Sequence, residues 1–154
     1  MTATRTDSDL TATAAHLRLA VTRTARRLRQ EAAGDLSPTA ASALASVELH
    51  GPLTPSELAA IERVKRPTAT RSLACLEQLG LVERTRDPSD GRSALLSITA
   101  AGRNRLRRLR KRKNAYLARR LRELPAADVE ALDRAAELLE GILEAERLHP
   151  GERG

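Results

Sequence analysis

Two cations, Lys65 and Arg66, stand at the start of a segment with helical character, KRPTATRSLACLEQL. A helix macrodipole prefers an anion at this end, by a few tenths to ~1 kcal/mol. No Ser, Thr, Asp or Asn occupies the capping position at 65 or 66, so the first backbone N–H groups have no local acceptor. A phosphate from outside the chain would supply the missing negative charge. These residues therefore favour phosphate binding.

The first turns of the same segment carry side chains that can reach base edges. Arg71 is suited to a bidentate contact with guanine, worth ~1–3 kcal/mol of discrimination. Thr68 and Thr70 lie beside it, and Pro67 either touches a thymine methyl group or only starts the helix. The alternative interpretation of this face is an ordinary solvated helix surface.

The residues that usually carry catalysis or bind metals are few and scattered. A single cysteine, Cys75, excludes an internal disulfide framework and a cysteine-based zinc site. His16, His50 and His149 lack metal-ligand spacing, and no nucleophile, base and orienting group form a set. We expect no enzymatic activity, no metal and no cofactor. Cys75 could act as an oxidation sensor, but no second cysteine could resolve a sulfenate within the chain, so the favoured interpretation is a half-buried small residue.

The charge balance points to a polyanionic partner. The net charge is +7 and the isoelectric point is about 10.8, which favours nucleic acid first and an anionic membrane surface second. Simple solubility is the alternative. The run 103–113 holds eight Lys or Arg residues and is interpreted mainly as a solvated face, with phosphate contact as the alternative. It has no Trp or Phe anchor, and the chain has neither a long apolar run nor a signal core, so we expect a cytoplasmic protein without a membrane partner.

Capping signals and apolar spacing divide the first half of the chain into four helices. The first has its apolar pattern from Leu10 and is expected to end near Gly34, after a frayed start. Ser37-Pro38 begins the second, and Thr54 with Glu57 matches a capping box for the third. The fourth helix begins at Arg66. The third and fourth helices with their brief connection describe a helix-turn-helix.

Two short strands follow this pair of helices. They are expected over residues 81–86 and 94–98, joined by the charged turn DPSDGR, in which Asp-Gly is a strong hairpin signal. Thr99 then caps a helix over 100–122, and a last helix covers 126–148. A helix-turn-helix followed by a charged hairpin is a winged helix.

The run from Leu36 to Gly102 resembles the MarR family of bacterial transcriptional regulators. The likeness is carried by TPSELA, by RPTATRSLACLEQLGLVER and above all by RDPSDGRSALLSITAAG across the wing. The resemblance implies a mainly α fold with a small β-hairpin wing. A winged helix-turn-helix over 36–99 would be flanked by an N-terminal dimerisation helix over 8–34 and C-terminal dimerisation helices over 100–148.

The resemblance also implies a homodimer that places each winged helix on one half of a pseudo-palindromic operator in double-stranded DNA. The composition agrees, because Tyr116 is the single aromatic residue and an aliphatic core is thin for a lone domain. The seams expected to pack between protomers consist of Leu10, Leu17, Val21, Val129, Leu132, Leu139 and Leu143.

The wing supplies further candidate DNA contacts. Arg92 resembles the wing arginine that enters the minor groove in this family, with Asp90 bracing it; the alternative is an exposed ion pair of little energetic weight. Arg84 and Arg86 alternate along the first strand and are expected to contact phosphates. The full predicted DNA-binding set is Lys65, Arg66, Pro67, Thr68, Thr70, Arg71, Arg84, Arg86, Asp90 and Arg92.

Members of this family often bind small aromatic anions in a cleft between the dimer helices and the winged helix. Here the cleft would draw on His16, Ala20, Val47 and Tyr116, and without Phe or Trp it cannot stack an aromatic ligand, which leaves an aliphatic ligand or none. The sequence thus predicts a dimeric, sequence-specific transcriptional regulator. Most members of the family are repressors, so we expect a repressor that a small molecule could release from DNA. The alternative is an architectural nucleic-acid-binding protein without sequence preference or ligand.

Overall fold

The computed structural model describes residues 6–32, 34, 36–89, 91 and 94–148, with the backbone alone for 145–148. A mainly helical chain with one antiparallel hairpin confirms the predicted fold class. The elements are α1 (Asp7–Glu31), α2 (Pro38–His50), α3 (Pro55–Glu62), α4 (Arg66–Gln78), β1 (Val82–Arg86), β2 (Ala94–Ile98), α5 (Ala100–Leu121) and α6 (Ala126–Leu148).

Side-chain caps set the starts of the early helices. The capping box of α3 is confirmed: Glu57 N–H donates to Thr54 Oγ1 at 3.2 Å, and Thr54 N–H donates to Glu57 Oε2 at 2.7 Å. Thr6 and Asp9 make the same reciprocal pair at the start of α1, which therefore begins at Asp7. The helix thus begins three residues before Leu10, the first residue of its apolar pattern. The helix also ends at Glu31, ahead of Gly34.

The core lies among α2, α3, α4 and the hairpin, and it is aliphatic as the composition requires. Burying each large side chain stabilises the fold by roughly 1.5–3 kcal/mol. Leu53, ahead of α3, exchanges backbone hydrogen bonds with Leu96 of β2 and so ties this segment to the hairpin. The most deeply buried side chains are Leu44, Val47, Leu58, Leu73, Leu76 and Leu96.

The hairpin pairs in a register that runs from Val82 opposite Ile98 to Arg86 opposite Ala94. Val82 and Ile98 are both buried on the face that packs toward the core. Because side chains alternate along a strand, Arg84 shares that face with Val82. This placement decides what Arg84 contacts.

The start of α5 is fastened to the end of α4. Thr99 Oγ1 donates to the Gly80 carbonyl oxygen at 2.7 Å and accepts from Gly102 N–H at 3.1 Å. A β-carbon on Gly102 would lie 2.2 Å from the Leu81 carbonyl oxygen, so only glycine permits this close approach. Gly80 itself adopts a left-handed conformation with φ of +67°, which glycine allows without strain.

The chain divides into two compact units, Met1–Asn114 and Ala115–Gly154. The first contains α1, the winged helix and most of α5. In the second, the guanidinium groups of Arg119 and Arg120 lie 5.8 and 5.7 Å from the centre of the Tyr116 ring. Among the helices described, none combines the length and the apolar character needed to cross a bilayer.

Candidate nucleic-acid interface

Helix α4 presents a polar, cationic face to solvent. Its inner side buries Ala69, Ser72, Leu73 and Leu76 against the core, at the spacing of 3.6 residues per turn. The one carboxylate of this helix, Glu77, is half-buried, and none of its fully exposed residues is acidic. The opposite side exposes Arg66, Pro67, Thr68, Thr70, Arg71, Ala74, Cys75 and Gln78.

Six predicted DNA contacts, Lys65 to Arg71 without Ala69, are thus brought together on one exposed surface. Cys75 is also exposed on this face, so its interpretation as a half-buried residue was wrong. The reason is that position 75 falls one residue short of the buried position Leu76.

The N-terminus of α4 lacks a side-chain cap. Lys65 is the N-cap residue and makes no side-chain hydrogen bond to the helix, as the sequence predicted. The turn before it contains Arg63 in the left-handed region, with φ of 52° and ψ of 42°. After this turn, the basic and uncapped start of α4 is exposed to solvent. The partial positive charge of the helix N-terminus adds there to the charges of Lys65 and Arg66.

The wing base is joined to α4 by an ion pair. The Arg84 guanidinium donates from Nε to Glu77 Oε1 at 3.1 Å and from Nη2 to Oε2 at 3.0 Å. These hydrogen bonds lower the pKa of the Glu77 carboxyl and raise the pKa of Arg84. Arg84 therefore faces a carboxylate, whereas its place on the strand predicted a phosphate contact.

The remaining wing residues divide into two groups. Arg86 is exposed, one alternate position nearer the tip of the hairpin than Arg84. Asp90 and Arg92, for which a minor-groove contact is predicted, lie outside the described residues. Sequence patterns did not reveal the role of Glu77, because its partner lies seven residues away across a change from helix to strand.

The basic run of α5 is mostly exposed, in agreement with its interpretation as a solvated face. Leu106 is its most buried apolar residue. Arg110 forms an ion pair with Glu48 of α2, and Arg103 Nη1 donates to the Ile98 carbonyl oxygen at 3.3 Å. Part of this positive charge thus serves contacts within the first unit.

A cavity of about 410 Å³ lies beside the winged helix, between α1, α2 and α5. Its wall is mainly aliphatic, with three cations and the Ser42 hydroxyl as its polar parts. The lining residues are Ala25, Leu28, Arg29, Ala32, Leu36, Pro38, Ala41, Ser42, Ala45, Leu106, Leu109, Arg110 and Lys113.

The predicted ligand-binding residues lie elsewhere. Val47 is 1% exposed in the core, so its side chain is not at a surface that a ligand could reach. His16 and Ala20 are exposed on α1 outside the cavity lining, and Tyr116 belongs to the second unit. The signal that could have found the cavity is the small-residue series Ala41 and Ala45 on α2, which leaves space beside larger neighbours.

The predicted dimerisation residues leave apolar surface in contact with solvent. Helix α1 has no buried residue, and Leu10, Leu17 and Val21 are all exposed. On α6, Leu132 and Leu143 are exposed, while Val129 and Leu139 are half-buried. Within the described ranges, no group of His, Cys, Asp or Glu side chains could hold a metal ion.

Comparisons with known proteins agree with this geometry. The MarR family model matches residues 36–94. An HTH-type transcriptional regulator of Mycobacterium tuberculosis is 35% identical over 132 residues, which make up 85% of this chain and 92% of that protein.

Solved structures share the fold over nearly the whole chain. A Pseudomonas aeruginosa protein, provisionally designated a transcriptional regulator, has a TM-score of 0.79 at 34% identity and covers 90% of this chain and 98% of its own. A Staphylococcus aureus MepR mutant, solved bound to an oligodeoxyribonucleotide, has a TM-score of 0.65 at 17% identity and covers 84% of this chain and 96% of its own.

The winged helix, its cationic α4 and these likenesses define the class as a helix-turn-helix transcriptional regulator that binds DNA. The chain belongs to the MarR family.

Proposed function

We propose that the protein is a homodimeric repressor that recognises a pseudo-palindromic operator in double-stranded DNA. Each protomer places α4 in a major groove, with Arg71 and the two threonines at base edges and Lys65 and Arg66 at phosphates. The observation that carries this proposal is the exposed face of α4, which is cationic, has its one carboxylate paired with Arg84, and is uncapped at its start. The repressor assignment follows the usual role of the family.

The dimer is supported by the apolar surface that α1 and α6 leave exposed. Leu138 and Ile142 are 65% and 60% exposed, although both are large aliphatic residues. Scattered apolar residues on a surface are ordinary, but series along two long helices mark an association surface. A second copy of the chain, with the same two series, is the partner that this self-complementarity favours.

The experiment that tests operator recognition is selection of bound sites from a random duplex library. We expect a two-fold symmetric site whose half-sites lie about one helical turn, ~34–36 Å, apart. The selected duplex should bind about 10³-fold more tightly than a scrambled duplex at physiological salt. Equal affinity for both would support the architectural alternative. Placing the selected site over a promoter in a reporter strain then tests repression, and increased expression would overturn the repressor assignment.

The cavity beside α2 is the proposed effector site. Its volume lies in the range of small-molecule sites, and its aliphatic wall excludes stacking. Arg110 is already paired with Glu48. Arg29 and Lys113 also line the cavity, and either cation could bind the carboxylate of a ligand. The chemistry favours an aliphatic anion as the effector.

Octanoate and octylamine form a matched pair of probes for this site, because they share a body and differ in the charge of the head group. We expect octanoate to raise the melting temperature and to release the selected duplex, and octylamine to do neither. Ala45→Leu, which adds three carbon atoms to the cavity wall, should abolish the octanoate effect and leave duplex binding intact. Equal effects of both probes, or an unchanged octanoate effect in Ala45→Leu, would overturn this site assignment.

A further inference from the structure

Glu62, the last residue of α3, turns its carboxylate toward α2. Ser42 Oγ donates to Glu62 Oε2 at 2.6 Å, and Ser46 Oγ donates to Glu62 Oε1. Because the two serines lie four residues apart on one helix, they share a face and reach both carboxylate oxygens together. The carboxylate is thus held by two hydroxyl donors from a neighbouring helix.

This contact lies directly before the turn that joins α3 to α4. Glu62 immediately precedes the turn into α4, where Arg63 is left-handed and its N–H donates to the carbonyl groups of Ala59 and Ala60. The turn sets the direction in which α4 leaves α3. Side-chain hydrogen bonds at Glu62 therefore fasten the start of α4 to the face of α2.

The charge of Glu62 is unusual at this position. It is the sole acidic residue between Glu57 and Glu77, and three cations follow it at Arg63, Lys65 and Arg66. A carboxylate at a helix C-terminus also opposes the macrodipole. A carboxylate in this place would ordinarily form an ion pair with one of these cations. The described ion pairs include none that involves Glu62. The serines hold the carboxylate on the side of α2 instead.

We propose that Glu62 is a positioning residue for DNA binding, which acts through Ser42 and Ser46 in two ways. It fastens the helix-turn-helix turn to α2, and it keeps its negative charge away from cations that face phosphates. This inference rests on the proposed operator binding and deepens it. Ser42 also lines the cavity, so a molecule there that accepts its hydrogen bond would leave Glu62 with one serine donor.

The test is a rescue experiment on the full-length protein with the selected duplex. Ser42→Ala with Ser46→Ala should weaken binding by about tenfold, because the released carboxylate can pair with the turn cations and reduce phosphate contact. Adding Glu62→Gln to this variant should recover part of the lost affinity, to within about threefold of wild type, because a neutral amide does not neutralise those cations. The remaining loss reflects the fastening that the two serines no longer provide. Thr39→Ala, at an exposed hydroxyl on α2, is the matched control and should not change binding.

A purely structural role predicts a different pattern, in which Glu62→Gln fails to rescue the serine double variant. That failure, or wild-type affinity in the double variant, would overturn the charge-sequestering role. Amide hydrogen exchange over residues 62–68 tests the fastening without DNA: it should quicken in the double variant and stay unchanged in Thr39→Ala. Unchanged exchange in the double variant would overturn the fastening role. If wild type shows no preference for its selected duplex, the proposed function fails, and the exchange measurement still decides whether Glu62 fastens the turn.

Discussion

Arg84 of β1 and Glu77 of α4 form a two-pronged ion pair, with Nε–Oε1 and Nη2–Oε2 distances of 3.1 and 3.0 Å. The pair joins the last full turn of α4 to the base of the wing. Two parallel hydrogen bonds fix the orientation of both side chains, which a single contact would not do. The relative position of the two proposed DNA-contacting elements therefore depends on this pair as well as on the core.

Replacement of Glu77 by Gln should weaken binding of the selected duplex by about threefold, equivalent to ~0.6 kcal/mol, because the wing base loses its tie to α4. Stability should fall by about 0.2–1 kcal/mol, since both side chains are partly exposed and screened by solvent. Glu83→Gln removes an exposed carboxylate from β1, next to Arg84, and is the matched control. A loss in Glu83→Gln as large as that in Glu77→Gln would show that the pairing with Arg84 does not account for the effect.

The same pair makes part of the stability dependent on pH. The Arg84 hydrogen bond lowers the folded-state pKa of Glu77 below its ordinary value of 4.5. The stabilisation is therefore fully present above the unfolded-state pKa and is lost as pH falls through the lowered folded-state value. Urea unfolding of wild type and Glu77→Gln across pH 7 to 2 should show a stability difference that shrinks only at the acidic end. A difference that grows with acidification would contradict the assignment.

Arg71→Ala should relax base choice at one position of the operator, with a loss of ~1–3 kcal/mol that is confined to the wild-type base. Lys65→Ala should instead weaken all duplexes alike and make the salt dependence shallower by about 0.9 in slope. Binding of each variant to a set of singly substituted duplexes, at three salt concentrations, separates these two patterns. Sequence-blind losses of equal size in both variants would remove Arg71 from the base-reading role.

Gly102→Ala should destabilise the fold by about 1–3 kcal/mol through overpacking. The new β-carbon would lie 2.2 Å from the Leu81 carbonyl oxygen and 2.7 Å from Ile98 Cγ1, so the start of α5 must shift. Gly141→Ala on α6 is the control, because its β-carbon would meet no atom within 4 Å. Thermal unfolding should show a lower melting temperature for the first variant and an unchanged or higher one for the second.

Leu17→Glu combined with Val21→Glu should convert the dimer to a monomer at micromolar concentration, because charge enters the proposed seam on α1. The winged-helix core should survive, since neither residue belongs to it. Leu49→Glu, at a residue 74% exposed on α2, should leave the dimer intact. Light scattering checks the mass of all three proteins. A wild-type monomer, or a double variant that stays dimeric, would contradict the proposed seam.

Local signals in the sequence were sufficient for most of the secondary structure. The Thr54–Glu57 capping box and the bounds of β2 and α6 follow from side chains within a few residues of each element end. The uncapped start of α4 follows from the absence of an acceptor at Lys65, which is likewise a local fact. These features depend on the chain near each residue, so sequence patterns could predict them.

The tertiary structure alone decided which charges remain available to DNA. Arg84 and Glu62 look like ordinary solvated charges in the sequence, yet one is paired with Glu77 and the other is held by serines twenty and sixteen residues away. Likewise, the cavity depends on how α1, α2 and α5 meet, and Val47 left the candidate ligand site because it packs inward. The physical reason is that hydrogen bonds and burial depend on distances in space, which helical periodicity determines within one element and packing determines between elements.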